Sequence, residues 1–132
     1  MIKQLESYIS ELRSLSKFDG EYVEKFEQVL EKIDSLDDPN SIVPLSQFFD
    51  DEAEYDELMF SLIHLIEKFD DVTYINALLE ALPSLSQKAP NWCSVLLKRV
   101  NNNSNSKEVL ATTLEISNAH IRQLIDLVSI SD

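Results

Sequence analysis

Glycine is almost missing from this sequence: 132 residues contain one, Gly20, where average usage of about 7% would supply roughly nine. Phosphate-cradling loops and dinucleotide-binding turns place glycines at fixed offsets so that bare backbone can approach a ligand, and a single glycine builds neither. Nucleotide-dependent chemistry by the common motifs is excluded. Basic charge is also scarce, with 11 Lys and Arg against 24 Asp and Glu, a formal net charge of −13. Nucleic-acid binders displace counterions from phosphates with Lys and Arg, and a chain of this sign is repelled by the polyanion. Cysteine occurs once, at Cys93, so there is no internal disulfide and no thiolate zinc site. Apolar runs stop at three residues, as in Leu58-Met59-Phe60, far short of the about 20 that span a bilayer. The opening Met1-Ile2-Lys3-Gln4-Leu5-Glu6 puts charges where a signal peptide carries its apolar stretch. The expectation is a cytoplasmic protein with a reduced thiol, no membrane association and no direct contact with nucleic acid. Its acidity points to a basic partner or to solubility.

What is present is helical periodicity. The length fits one domain over residues 1–132, and no stretch alternates as a strand would. The expected fold is all-α: about eight helices in stacked antiparallel hairpins, loosely HEAT-like, without a fixed-period repeat. Ile2, Leu5, Ile9, Leu12 and Leu15 predict a first helix over about residues 2–16. Asp19 reads as the cap of a second, with Phe18 and Val23 as a hydrophobic staple and a stripe from Val23 through Phe26, Leu30 and Ile33 to Leu36. A short third helix is expected from about Ser41 to Phe49, capped by Asn40 with Pro44 in its first turn.

Asp51 and Glu54 read as a capping box opening a fourth helix with Tyr55, Leu58, Met59, Leu62, Ile66 and Phe69 on one face. Asp70 caps a fifth helix that carries Tyr74, Ile75, Leu78 and Leu82 and is kinked or ended by Pro83. Pro90 starts a sixth, with Trp92, Cys93, Leu96 and Val100 inward. Residues 101–105 read as a loop. A seventh helix capped by Ser106 and an eighth around Ile121, Leu124, Ile125 and Val128 complete the chain, with Ile116 and Ile121 bracketing Ser117 as a further staple.

The acidity is uneven. Residues 1–39 carry −5, residues 40–81 carry −9 with Lys68 as their single base, and residues 82–132 carry +1. Asp50, Asp51, Glu52, Glu54, Asp56 and Glu57 put six acids into eight residues. Carboxylates in a helix's first turn gain about 0.3–1 kcal/mol each from its dipole, and one or two per helix meet that need. The surplus repels itself. We therefore read the cluster as a partner-binding surface, set against the alternative of a solvated face. Asp70 and Asp71 form a second acidic pair at the far end of the fourth helix, too distant to join the first in one compact site. On a helical wheel Phe60 falls on the polar face among Asp56, Glu57, His64 and Glu67. It either packs against another helix or stands exposed as an aromatic anchor ringed by acids, the composition of an interface hot spot. Trp92 reads as core.

Reactive groups are few: two histidines, one cysteine and many carboxylates. Cys93 lies on an apolar face and reads as a buried, inert thiol. His64 and Glu67 stand one turn apart, but the second Glu-x-x-His of a di-iron site fails because Ser117 precedes His120. The 50–57 stretch lacks the central glycine and alternating ligands of a calcium loop. No metal ligand set, cofactor site or catalytic constellation is assigned, and the protein is not read as an enzyme.

Three segments carry a likeness to a known group. Leu78-Leu79-Glu80-Ala81-Leu82-Pro83, then Ala89-Pro90-Asn91-Trp92 opening a helix, then Leu96-Leu97-Lys98-Arg99-Val100-Asn101-Asn102 closing it, resemble the all-helical immunity proteins of bacterial polymorphic toxin and contact-dependent growth inhibition systems. The resemblance spans roughly residues 45–115 and rests on a Pro-x-Trp helix start and an Arg-x-Asn close. It implies a cytosolic antitoxin without catalysis that binds one cognate toxin C-terminal domain, often a nuclease, and blocks its active site or its substrate's approach. The acidic surface adds the expectation of a basic nuclease cleft covered by polyanion mimicry, with Asp50, Asp51, Glu52, Glu54, Asp56, Glu57, Phe60, Asp70 and Asp71 as the partner-binding set. The competing expectation is a helical-repeat scaffold or adaptor binding a peptide or protein subunit.

Overall fold

The computed structural model describes residues 2–115. Among them the chain is all-α: α1 (Ile2–Ser14), α2 (Tyr22–Leu36), a 3-10 turn (Pro39–Ser41), α3 (Ile42–Ser46), α4 (Asp56–Glu67), α5 (Asp71–Lys88), α6 (Pro90–Asn101) and α7 (Ser104–Glu115). Two sets of helix contacts organise the chain. In one, α4 packs on α2 while α6 is linked to α4 through side chains; in the other, α3, α5 and α7 lie side by side, and α1 packs on α2. The expected eighth helix, its Ser117 staple and His120 lie outside the described residues.

The apolar stripes do what their spacing predicts. Leu5, Ile9 and Leu12 of α1 meet Phe26, Val29, Leu30 and Ile33 of α2, and one buried cluster continues through Leu62, Ile63 and Ile66 of α4 to Leu78 and Leu82 of α5 and Leu96 and Val100 of α6. Each such side chain contributes about 1.5–3 kcal/mol by leaving water. That magnitude explains the first departure from expectation: Pro83 lies inside α5, which runs on to Lys88. Interior proline costs about 3 kcal/mol, and burial of Leu82 and Leu85 on either side of it offsets that cost.

Helix ends hold most of the other departures. Asp70 caps α5 as expected, accepting the Thr73 N–H at 3.1 Å and the Thr73 hydroxyl at 2.8 Å. Asp19 does not cap α2 directly. It accepts the Glu21 N–H at 2.8 Å and pairs with Lys25 at 2.7 Å, so the helix begins three residues later, at Tyr22. The staple therefore has no geometry to form, and Phe18 is 98% exposed. Asp38, not Asn40, caps the turn before α3, through the Asn40 N–H at 2.9 Å. At α7 the cap is Asn103, whose Oδ1 accepts the N–H groups of Asn105 and Ser106 at 3.1 Å each. Only Asn102 and Asn103 of the expected loop are non-helical, and Ser106 instead donates its buried hydroxyl to the Val100 carbonyl at 2.9 Å. Asp37 ends α2 in the left-handed conformation, φ 50°, a place usually taken by glycine.

The largest difference concerns Asp51. α4 begins at Asp56 with no side-chain cap, so the Asp51/Glu54 capping box is not formed. Asp51 reaches across the fold and caps α6: its two oxygens accept the backbone N–H groups of Asn91 at 2.9 Å and Trp92 at 3.1 Å. Pro90 at the first position lacks an N–H, leaving the next two donors for the carboxylate. Loss of a helix cap costs about 0.5–2 kcal/mol. Asp51→Ala is expected to lower unfolding free energy in urea by about 1–2 kcal/mol, while Glu52→Ala, on the solvent side of the same turn, changes it by less than about 0.5 kcal/mol. Equal effects of the two substitutions would contradict the cross-fold cap.

Candidate functional site

Residues 47–55 connect α3 to α4 without helix, and their backbone is held by its own first carboxylate. Asp50 Oδ1 accepts the Glu52 N–H at 3.0 Å, the Asp50 carbonyl accepts the Ala53 N–H at 3.1 Å, and Asp50 Oδ2 takes the Lys17 ammonium at 2.9 Å. With Asp50 and Asp51 both turned to internal bonds, Glu52, Glu54, Asp56 and Glu57 remain exposed, and none of the four forms an ion pair among the described residues. Asp56 and Glu57 sit in the first turn of α4, where the dipole favours them. Glu52 and Glu54 precede the helix and have no such support.

Two aromatic features flank this acidic edge. On the α6 side, Phe60 stands edge-on to Trp92 with ring centroids 5.4 Å apart, and Trp92 lies 6.1 Å from the buried Phe49. Both earlier readings of Phe60 are thus partly realised: it packs on α6 and is still 43% exposed. Trp92 is half-buried at the rim and not in the core interior. On the α2 side, a groove of about 450 Å³ opens between the 17–22 turn and the 50–55 segment. Its floor is Tyr22, Phe26, Phe48, Leu58 and Met59, with Glu52, Glu54 and the 37%-exposed Tyr55 on the rim. The groove, Phe18 and Tyr55 were not legible as a site, because Phe18 fitted a staple pattern and the floor residues read as ordinary core.

Asp70 and Asp71 lie beyond the 12 residues of α4, about 18 Å of helix from the first cluster. Asp70 serves as the α5 cap, and Asp71 accepts a hydrogen bond from the Asn105 amide. Beside them Arg99 forks onto Glu67 through two bonds of 2.8 Å, so the carboxylate one turn after His64 is already engaged. Lys68, the lone base of the acidic third, pairs with Asp34 at 2.8 Å and Asp37 at 3.1 Å. It does nothing to neutralise residues 52–57. Cys93 is fully buried, and burial pushes its thiol up to about 12, far from the thiolate range a nucleophile needs. Among the described residues no group of three or more His, Cys, Asp or Glu could hold a metal, and no helix is long and apolar enough to cross a membrane.

Comparison with family models matches the chain to immunity protein 30 over residues 11–110. The chain belongs to the immunity protein 30 family. Membership identifies it as an immunity protein of a toxin system, whose partner is a cognate toxin. Neither curated proteins nor solved structures returned a match. The two motifs that carried the likeness have structural roles here: Pro90-Asn91-Trp92 presents the N–H groups that Asp51 caps, and Arg99 ties α6 to α4 through Glu67.

The Lys17–Asp50 pair has a defined pH range. The Lys17 hydrogen bond, then the Glu52 N–H, hold the Asp50 carboxyl below the usual aspartate range, and Asp50 in turn raises Lys17. A lowered acid contributes stability that is lost as pH falls through its folded pKa; a raised base contributes until pH climbs through its own. The tether therefore contributes in full between about pH 4 and about pH 10.4, and it is lost only beyond that window, as pH passes the lowered pKa of Asp50 or the raised pKa of Lys17. Being largely exposed, it contributes no more than about 1 kcal/mol. Lys17→Ala is expected to move the Asp50 titration upward toward about 3.9, followed by carboxyl-carbon NMR. An unmoved titration curve would rule the pairing out.

Proposed function

We propose that this immunity protein neutralises its toxin without catalysis, by lodging the acidic edge at Glu52, Glu54, Asp56 and Glu57 in a basic cleft that otherwise takes nucleic acid. The observation that carries the reading is the division of labour within the cluster. Asp50 and Asp51 are spent on holding the segment, and the other four carboxylates are left exposed and unpaired. Like charges held this close repel one another, so the arrangement lowers stability and gains meaning from a cationic partner. A nuclease must offer cations to phosphate, and carboxylates on a rigid edge can occupy the same positions. Steering between opposite fields speeds encounter, and desolvated carboxylate–cation pairs slow release.

Phe60, packed on Trp92, supplies an aromatic contact beside Asp56 and Glu57, in keeping with aromatic anchors near charged rims. Asp50 and Asp51 act in this reading through the loop they brace. Asp70 and Asp71 belong to a separate surface with their own internal bonds and serve at most the periphery of the contact. Family membership favours toxin binding over the scaffold reading. The inhibitor acts in the cytoplasm, where an arriving toxin would meet nucleic acid.

The decisive variant reverses Glu54, Asp56 and Glu57 to Lys. With three carboxylate–cation contacts turned repulsive, affinity for the cognate toxin domain is expected to fall at least about a hundredfold, equivalent to about 2.8 kcal/mol. The salt dependence of association should flatten, and the urea midpoint should not drop. A folded triple variant with wild-type affinity and salt dependence would refute the acidic-edge reading.

A further inference from the structure

The groove on the α2 side of the acidic edge has a floor and a rim of opposite character. Tyr22, Phe26, Phe48, Leu58 and Met59 line the floor, with Tyr22, Phe26 and Phe48 in successive edge-to-face contacts at 5.7 and 6.5 Å. Two bases stand at the mouth, and both are engaged: Lys17 binds Asp50, and Lys88 donates to the Gln47 carbonyl. Asp50 neutralises Lys17, whereas Lys88 keeps its charge on a neutral carbonyl; Glu52 and Glu54 outnumber it and leave the rim net acidic. Phe18 projects beside the opening at 98% exposure, the most exposed large apolar side chain among the described residues.

From this geometry we propose that the groove is the anchor socket for the toxin: it takes one apolar side chain presented on a Lys- or Arg-bearing segment, with Phe18 closing over it. The inference rests on the toxin-binding reading above and names the chemistry of the segment that is bound. A volume of about 450 Å³ accommodates a leucine or an aromatic side chain with room for adjacent backbone. Charge complementarity selects the flanks, because free carboxylates at the mouth favour a cationic neighbour and disfavour an acidic one. It also argues against a second copy of this chain, whose net charge of −13 would bring like charge to the same rim.

The test measures binding of the catalytically inactivated toxin domain by calorimetry to two groove variants, Phe18→Ala and Ala53→Trp, and to Asp56→Lys/Glu57→Lys, which lies outside the groove. Ala53 lines the opening, so tryptophan there fills the socket; Phe18 contributes no buried contact, so its removal leaves folding intact even if the tryptophan variant misfolds. Each groove variant is expected to lose at least about tenfold in affinity while keeping the wild-type salt slope, as a truncated or blocked apolar anchor does. In parallel, Phe18→Cys is alkylated with iodoacetamide, with the buried Cys93 as an unreactive background, and the toxin domain should slow the reaction about tenfold or more. Wild-type affinity in Phe18→Ala with loss in Asp56→Lys/Glu57→Lys would overturn the socket and leave the acidic-edge reading standing. Wild-type affinity in all variants would overturn both. Full protection of the Phe18→Cys thiol before toxin is added would mean that the chain covers its own groove, which also overturns the proposal.

Discussion

Two hydrogen bonds accepted by one carboxylate organise the surface of this protein. Asp51 accepts the N–H groups of Asn91 and Trp92 and so fixes the segment before α4 to the start of α6, forty residues further along the chain. That bond does three things. It satisfies donors that every helix start leaves open. It sets Trp92 against Phe49 and Phe60, and it turns the neighbouring Glu52 and Glu54 toward solvent on the opposite side of the loop. Asp50 completes the frame through Lys17. The acidic edge depends on this bracing: a loop pinned through Asp50 and Asp51 holds Glu52 and Glu54 next to Asp56 and Glu57 in the first turn of α4 despite their repulsion.

The family motif acquires a physical meaning from the same contacts. Pro90 leaves Asn91 and Trp92 as the available donors, and Arg99 at the other end of α6 forks onto Glu67 of α4. α6 is thus held at both ends by carboxylates from outside it, with Cys93, Leu96 and Val100 buried between. Both motifs serve the scaffold, and the proposed toxin-binding edge at Glu52, Glu54, Asp56 and Glu57 consists of residues outside them. This separation lets one fold carry different recognition chemistry.

The all-α class was legible because three-and-four spacing depends only on the local chain, and most of the core residues it picked out in α1, α2, α4, α5 and α6 are buried, with Leu15, Val23, Leu36, Phe69 and Trp92 buried only in part and Tyr55 exposed. Asp70 and Pro90 were legible for the same reason: their partners lie within one turn. Asp51 was misread because Asp-x-x-Glu looks the same in a sequence window whether the carboxylate bonds three residues ahead or forty. Phe18 was misread because a staple needs the helix to start where the cap residue stands, and the Asp19–Glu21 turn delays it. Pro83 was expected to interrupt α5, yet the burial of its leucine neighbours outweighs the lost bond. The acidic cluster was visible as composition, while its split into bracing and free carboxylates required the fold. The groove was invisible, since its floor has the composition of core and only the path of two loops leaves it open.

The central claim, that the toxin is met by the acidic edge and the loop beside it, is tested most directly by amide hydrogen exchange on the complex. Binding at this surface predicts added protection in residues 16–22 and 50–60, with α5 and α7 exchanging as in the free protein. Protection confined to α5–α7, where the chain is close to neutral, with residues 50–60 unchanged, would contradict the account.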